Sequence, residues 1–252
     1  MPVPKSSSSI GYTKASRALR AHSNPERAKV YRWYFKDPGS DVFWGVSTKD
    51  MRRVARDFRS LSLTDVGKLM RSRVHEERSL AHDILRWKFE KGNDAEQKRI
   101  FDFYILRRDT IHSWDGVDDS APYIVGRYLL NREKKLLYEL ARSPRIWDRR
   151  IAMVATLWFI RQGQVTDAIQ IAEVLLTDPE DLIHKACGWC LREVGKKDLP
   201  ALKDFLNSHC RTMPRTTLRY AIERFPEQER QRYLKGKVGT GRPIQIQPRP
   251  SV

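Results

Sequence analysis

The chain has 252 residues, 40% of them hydrophobic, with 48 Lys and Arg against 31 Asp and Glu and a formal net charge of +17. That hydrophobic content excludes a disordered chain, and the length fits one large domain or a repeat array with a buried core. Three cysteines, an odd number, argue against a disulfide framework, and the arginine-rich charge excess points to a polyanionic partner.

Residues 1–10, rich in Ser and Pro, read as a loose arm. They lack the long apolar run of a secretory signal, so the expected location is cytoplasmic. The segment from Ser62, "SLTDVGKLMRSR", opens on a good N-cap and keeps apolar residues at helical spacing. "HEERSLAHDILRWKFEKGN" predicts a helix stopped at Gly92-Asn93. "SPRIWDRRIAMVATLWFIRQGQ" predicts a helix closing at Gly163. Its apolar run Ile151–Ile160 is far too short to cross a bilayer. Two further helices are separated at Asp178-Pro179, and a last one is interrupted at Pro226. No alternating strands with hairpin turns stand out. Residues 235–252, basic and rich in Gly and Pro, read as a flexible tail that either adds phosphate contacts or is a plain terminus.

Arg78, Trp114, Arg150, Lys185 and Thr217 recur at intervals of roughly 35 residues, each near the start of a similar helix. An all-helical repeat of that length predicts an all-α solenoid of stacked helix pairs, a superhelix whose second helices line a concave face. Trp114, Arg150 and Lys185 then form a row on that face. Asp118 and Trp189 follow one helical turn later and fall beside it.

The segment Arg107–Gly126 concentrates Trp114, Asp115, Asp118 and Asp119 in a basic chain. Capping by Asp115, with Asp118 and Asp119 complementing the helix dipole, is the plain structural reading. The alternative is a carboxylate that stabilises positive charge developing on a sugar and orients a water. Trp114 and Trp189 are either core residues or exposed indole faces that attract cations and polarised C–H groups. Arg150 is either a partner for Asp148 or another nearby acid, or a phosphate clamp. Cys187-x-x-Cys190 has no second ligand pair at zinc spacing and no redox context, so both thiols read as small packing residues. The six histidines show no ligand spacing, and no phosphate loop or dinucleotide motif is present. The expectation is therefore no metal and no cofactor.

"SWDGVD" (Ser113–Asp118), "IWDRR" (Ile146–Arg150), "HKACGWCLRE" (His184–Glu193) and the upstream Tyr31–Phe58 stretch, with its Gly-Val-Ser turn before a basic helix, together resemble the AlkD-like family of DNA alkylation repair glycosylases. The resemblance runs from about Asn24 to about Arg224 and implies a HEAT-like repeat domain over residues 11–234. It implies removal of N3- and N7-alkylated purines from double-stranded DNA, by a monomer that clamps the sugar face and uses no base pocket. It further implies Asp118 as the catalytic carboxylate, with Trp114 and Trp189 cradling the deoxyribose. Arg150 would hold a backbone phosphate, and Tyr34 would border the lesion; Lys185 reads as a phosphate or helix-surface residue. The rival readings are a non-catalytic HEAT-like protein that binds distorted or branched DNA, and a protein-binding scaffold.

Overall fold

The computed structural model describes residues 9–35, 39 and 41–238. These residues are predominantly helical; the one strand-like pairing among them is an isolated parallel bridge between Val42 and Val74. The all-α expectation holds, and stacked helix pairs agree with a solenoid. The helices are α1 Ser9–Arg20, α2 Pro25–Tyr34, α3 Thr48–Asp57, α4 Leu63–Met70, α5 His75–Lys91, α6 Asp94–Arg107, α7 Trp114–Asp118 and α8 Arg127–Leu129. They continue as α9 Lys135–Ala141, α10 Ile146–Arg161, α11 Thr166–Val174, α12 Asp181–Lys197, α13 Leu199–His209, α14 Arg215–Ala221 and α15 Glu227–Leu234. A single π-helical turn, Pro122–Gly126, precedes α8. The expected N-terminal arm is shorter than 1–10 in one respect: α1 begins at Ser9, and residues 1–8 lie outside the described residues. Of the expected tail, residues 239–252 lie outside them as well.

The chain divides into two compact units, Met1–Tyr128 and Leu129–Val252. In the first, α5 is central and packs against α3, α4 and α6, while α1 lies across α3, α4 and α5. Local capping sets most boundaries. Ser47 and Ser62 accept from the backbone N–H three residues on, starting α3 and α4. Asn93 and Glu96 close a reciprocal capping box at α6.

The first turn of α5 carries four consecutive ionisable residues, His75, Glu76, Glu77 and Arg78, all buried. Each has a partner. The Glu76 carboxylate accepts from the backbone N–H groups of Trp44 (3.0 Å), Gly45 (2.6 Å) and Val46 (3.3 Å). Arg78 pairs with Asp41 and donates to the Ser72 carbonyl at 2.8 Å. Glu77 accepts from the Tyr12 hydroxyl of α1 at 3.4 Å. The turn gathered by Glu76 is also where α2 docks. Gly45 has φ +72, and a Cβ there would stand 2.1 Å from the Asn24 carbonyl and 2.5 Å from the Ala28 nitrogen. Only glycine allows both the left-handed backbone and that approach.

In the second unit, α9 packs on α10, α11 on α12 and α13 on α12, and the row α10, α12, α14 is contiguous. Small residues let the row close. Ala186, Cys187, Gly188 and Cys190 of α12 are buried, and a Cβ on Gly188 would meet the Thr217 carbonyl of α14 at 2.7 Å. The three cysteines are buried thiols that form no disulfide. Burial pushes the Cys187 thiol up to about 12, so it stays protonated and packs, as its spacing implied. Among the repeat positions, Arg78, Arg150, Lys185 and Thr217 stand within the first five residues of α5, α10, α12 and α14, and Trp114 opens α7. The repeat is least regular at α7, which ends after five residues.

Glu76→Ala is expected to unfold at lower urea, losing about 3 kcal/mol or more, because three buried N–H groups each lose an acceptor at roughly 1–3 kcal/mol. Glu76→Gln, which keeps one acceptor oxygen, is expected to lose less; equal midpoints for wild type and Glu76→Ala would show that the turn is held by other contacts.

Candidate functional site

In the first unit the site is built around α7. Ser113 stands at its N-cap position with extended backbone, and Trp114 is the first helical residue. The boundary corrects one reading of this segment: Asp115 is not the cap. It lies inside the first turn and accepts from His75 Nε2 at 2.9 Å. Asp118 and Asp119 are correspondingly not in the first turn. Asp118 ends α7 and Asp119 is its C-cap, where the helix dipole disfavours rather than favours negative charge.

Trp114 is half-buried and stands at the end of an aromatic series. Phe35 stacks on it at 5.4 Å and 22°, and Tyr34 meets it edge-on at 5.7 Å. Phe35 also lies 4.5 Å from the His75 ring, which Phe43 covers on a stacked geometry at 5.0 Å. His75 therefore ties the aromatic series to the α7 carboxylate. Burial pushes Asp115 up, but the hydrogen bond and charge of His75 outweigh it and hold the carboxyl below its usual range. His82, buried behind it, is pushed down to about 4 by burial against the pull of Asp115 and is neutral at physiological pH.

Asp118 is half-buried, one helical turn from Trp114 on the same helix. Asp119 is exposed as a residue. Its carboxyl is pushed up to about 6, first by loss of solvent and then by the charges of Asp115, Asp83 and Asp118. Asp83, Asp115, Asp118 and Asp119 thus lie close enough around α7 to repel one another, in a chain whose charge is otherwise strongly positive.

In the second unit, Arg150 of α10 is buried, and its Nη1 donates to the Leu182 carbonyl of α12. Asp148, its nearest acid in sequence, is bound by Arg145 at 2.8 Å and Ser143 at 2.9 Å. Lys185 is paired with Asp181 one turn before it, at 2.7 Å. That hydrogen bond raises the Lys185 ammonium and lowers the Asp181 carboxyl. Arg150 is close enough to Lys185 to oppose its charge. Trp189 follows Lys185 by one turn of α12 and is half-buried. The predicted residues thus form two sets, Tyr34, Trp114 and Asp118 in one unit and Arg150, Lys185 and Trp189 in the other.

A family model for DNA alkylation repair enzymes matches residues 15–225, most of the chain. The chain belongs to the DNA alkylation repair enzyme family. Among solved structures, one described as a predicted DNA alkylation repair enzyme from Enterococcus faecalis is similar at 17% identity and a TM-score of 0.64, over 82% of this chain and 98% of that one. At that identity the likeness speaks for the fold alone. Comparison with curated protein sequences finds no match. Family membership gives the chain a role in DNA repair and hence a DNA partner. No helix among the described residues is long and apolar enough to cross a membrane.

Sequence reasoning missed Phe35, Phe43 and His75. The one signal for them was the density of aromatics between Tyr31 and Trp44; nothing local to His75 announces that its partner is Asp115.

A carboxyl whose folded pKa is raised keeps its proton in the native state between the ordinary Asp value and about 6. Its ionisation therefore removes stability as pH rises through that window. Asp119→Asn is expected to melt above wild type at about pH 7.5 and level with it near about pH 4. A melting difference that does not change with pH would show that Asp119 is not the crowded group.

Proposed function

We propose that the protein is a monofunctional DNA glycosylase that hydrolyses the N-glycosidic bond of cationic N3- and N7-alkylated purines in double-stranded DNA. The observation that carries this reading is the pairing of Trp114 and Asp118 one turn apart on α7, in a member of the DNA alkylation repair family. Such lesions carry a positive charge and depart as neutral bases. No general acid is then needed for the leaving group, and one carboxylate can take the place of the two used in ordinary glycoside hydrolysis.

On this reading Asp118 stabilises the oxocarbenium-like deoxyribose as the bond opens and positions the attacking water. Trp114 and Trp189 present indole faces to the sugar, whose C–H groups become polarised as positive charge develops. Tyr34, edge-on to Trp114, borders the lesion. Arg150 holds a backbone phosphate, and Lys185 adds positive charge beside it. The enzyme works from the sugar face and leaves the base outside any pocket, so bulky adducts are tolerated. A lyase step needs a neutral amine as nucleophile. Lys185, kept protonated by Asp181, is unsuited to that, which supports hydrolysis alone. The protein acts as a monomer in the cytoplasm, associated with the nucleoid when bound to DNA.

The test is base release from duplex DNA carrying N7-methylguanine or N3-methyladenine. Wild type is expected to release the base, and Asp118→Asn to slow release by on the order of 100-fold or more while keeping affinity. Equal release by both proteins would overturn the Asp118 role. No release with salt-sensitive binding retained would favour a non-catalytic DNA-binding protein. Trp189→Ala is expected to lower excision at least about 10-fold with only a small change in melting; a collapse in melting instead would mark Trp189 as a packing residue.

A further inference from the structure

Helix α2 is inside out. Its protein-facing side is held largely by polar groups. Arg27 donates to the Gly45 carbonyl at 2.8 Å, and the Tyr31 hydroxyl reaches the Val46 carbonyl at 3.4 Å. Arg32 donates to the Asp41 carbonyl at 2.9 Å, and the helix is capped by Asn24. No residue of α2 is buried. Two apolar side chains point the other way: Val30 is 60% exposed and Trp33 78%. Val30 and Trp33 are three residues apart and share a face. A surface helix normally turns its apolar stripe inward, and an exposed tryptophan beside an exposed valine marks a surface with a partner.

Two observations select the partner. The first is charge. Arg27 and Arg32 are engaged by neutral backbone carbonyls and Lys29 by Glu26, the single acid of α2, so the helix keeps a net positive charge beside its exposed face, in a chain of net charge +17. Such a setting suits a nucleic acid, whose bases stack on aromatic rings while cations meet its phosphates. The second is continuity. Tyr34, the next residue, touches Trp114, and Phe35 stacks on it, so Trp33 is carried at the edge of the aromatic–carboxylate cluster of α7.

We propose that Trp33, with Val30 beside it, is a wedge that enters a base step of duplex DNA next to the nucleotide handled at Trp114. Partial unstacking by an apolar side chain bends the duplex and brings more of its backbone onto the protein. The polar anchoring of α2 keeps the indole projected, and the closely seated Gly45 contact resists its being pushed back. This inference takes DNA as the partner from family membership and the position of the lesion at Trp114 from the proposed function, and it makes no use of catalysis.

The probe is a duplex holding a tetrahydrofuran abasic-site analogue with 2-aminopurine as the neighbouring base. Wild type is expected to raise 2-aminopurine fluorescence on binding, by unstacking it. Trp33→Ala is expected to lose that rise and to bind roughly 5- to 150-fold more weakly, the range for one base–aromatic stack. Trp33→Phe is expected to keep most of both. The slope of affinity against salt should be unchanged in Trp33→Ala, since no phosphate contact is removed. Melting of the variants should match wild type, given the exposure of Trp33. A Trp33→Ala protein that binds and unstacks like wild type would overturn the proposal, as would a wild type that binds no DNA. So would a finding, by light scattering, that wild type self-associates through this face and Trp33→Ala does not. A wild type that unstacks the probe yet releases no base would leave the wedge standing and sink the glycosylase reading.

Discussion

The first unit depends on one turn of helix in which four consecutive ionisable side chains are buried together. Taking such groups out of water is costly unless each is paired. Here each one is, and the partners lie on three other parts of the chain: the connection before α3, α1 and α7. Glu76 gathers the Trp44–Val46 backbone, Arg78 holds Asp41, Glu77 reaches Tyr12 of α1, and His75 holds Asp115 of α7. The glutamates also sit where the α5 dipole favours negative charge. The costs and the partners make this turn a hub: moving any one segment would strand a buried charge on α5.

Through that hub the chemistry of α7 is set from a distance. His75 fixes the Asp115 carboxylate and packs against both Phe35 and Phe43, which also stack on each other, so the aromatic series that ends on Trp114 and the first turn of α7 are placed by the same ring. α2 is seated on the turn that Glu76 gathers, and Trp33 is projected outward from there. In the second unit the constraint is different in kind. Small residues of α12 let α10 and α14 close in, and Lys185 and Trp189 are carried on the less buried side of the same helix.

Features written in local chemistry were legible in the sequence. The Ser62 cap, the Gly92-Asn93 stop, the turn at Gly163 and the break before Glu180 all follow from short-range rules, and the structure has a helix boundary at each. The recurrence that links Arg150, Lys185 and Thr217 found the row of α10, α12 and α14, because equivalent positions in stacked pairs share an environment. The α7 segment was misframed for the converse reason. Asp115 has the local look of a cap, and its partner His75 lies far upstream, where nothing in the adjacent sequence points to it. The outward face of α2 was illegible in the same way. Its pattern of arginine and aromatic residues does not say which side faces the protein, and the carbonyls of Asp41, Gly45 and Val46 decide it.

The chemistry proposed for this site rests on the lesion's own positive charge, which lets the base leave without an acid. The most direct measurement compares single-turnover base release from two duplexes that differ only in the alkylated guanine, one with cationic N7-methylguanine and one with neutral O6-methylguanine. Release confined to the N7-methyl duplex is the predicted result. Equal release from both, or release of the neutral base alone, would contradict a mechanism that lacks a general acid.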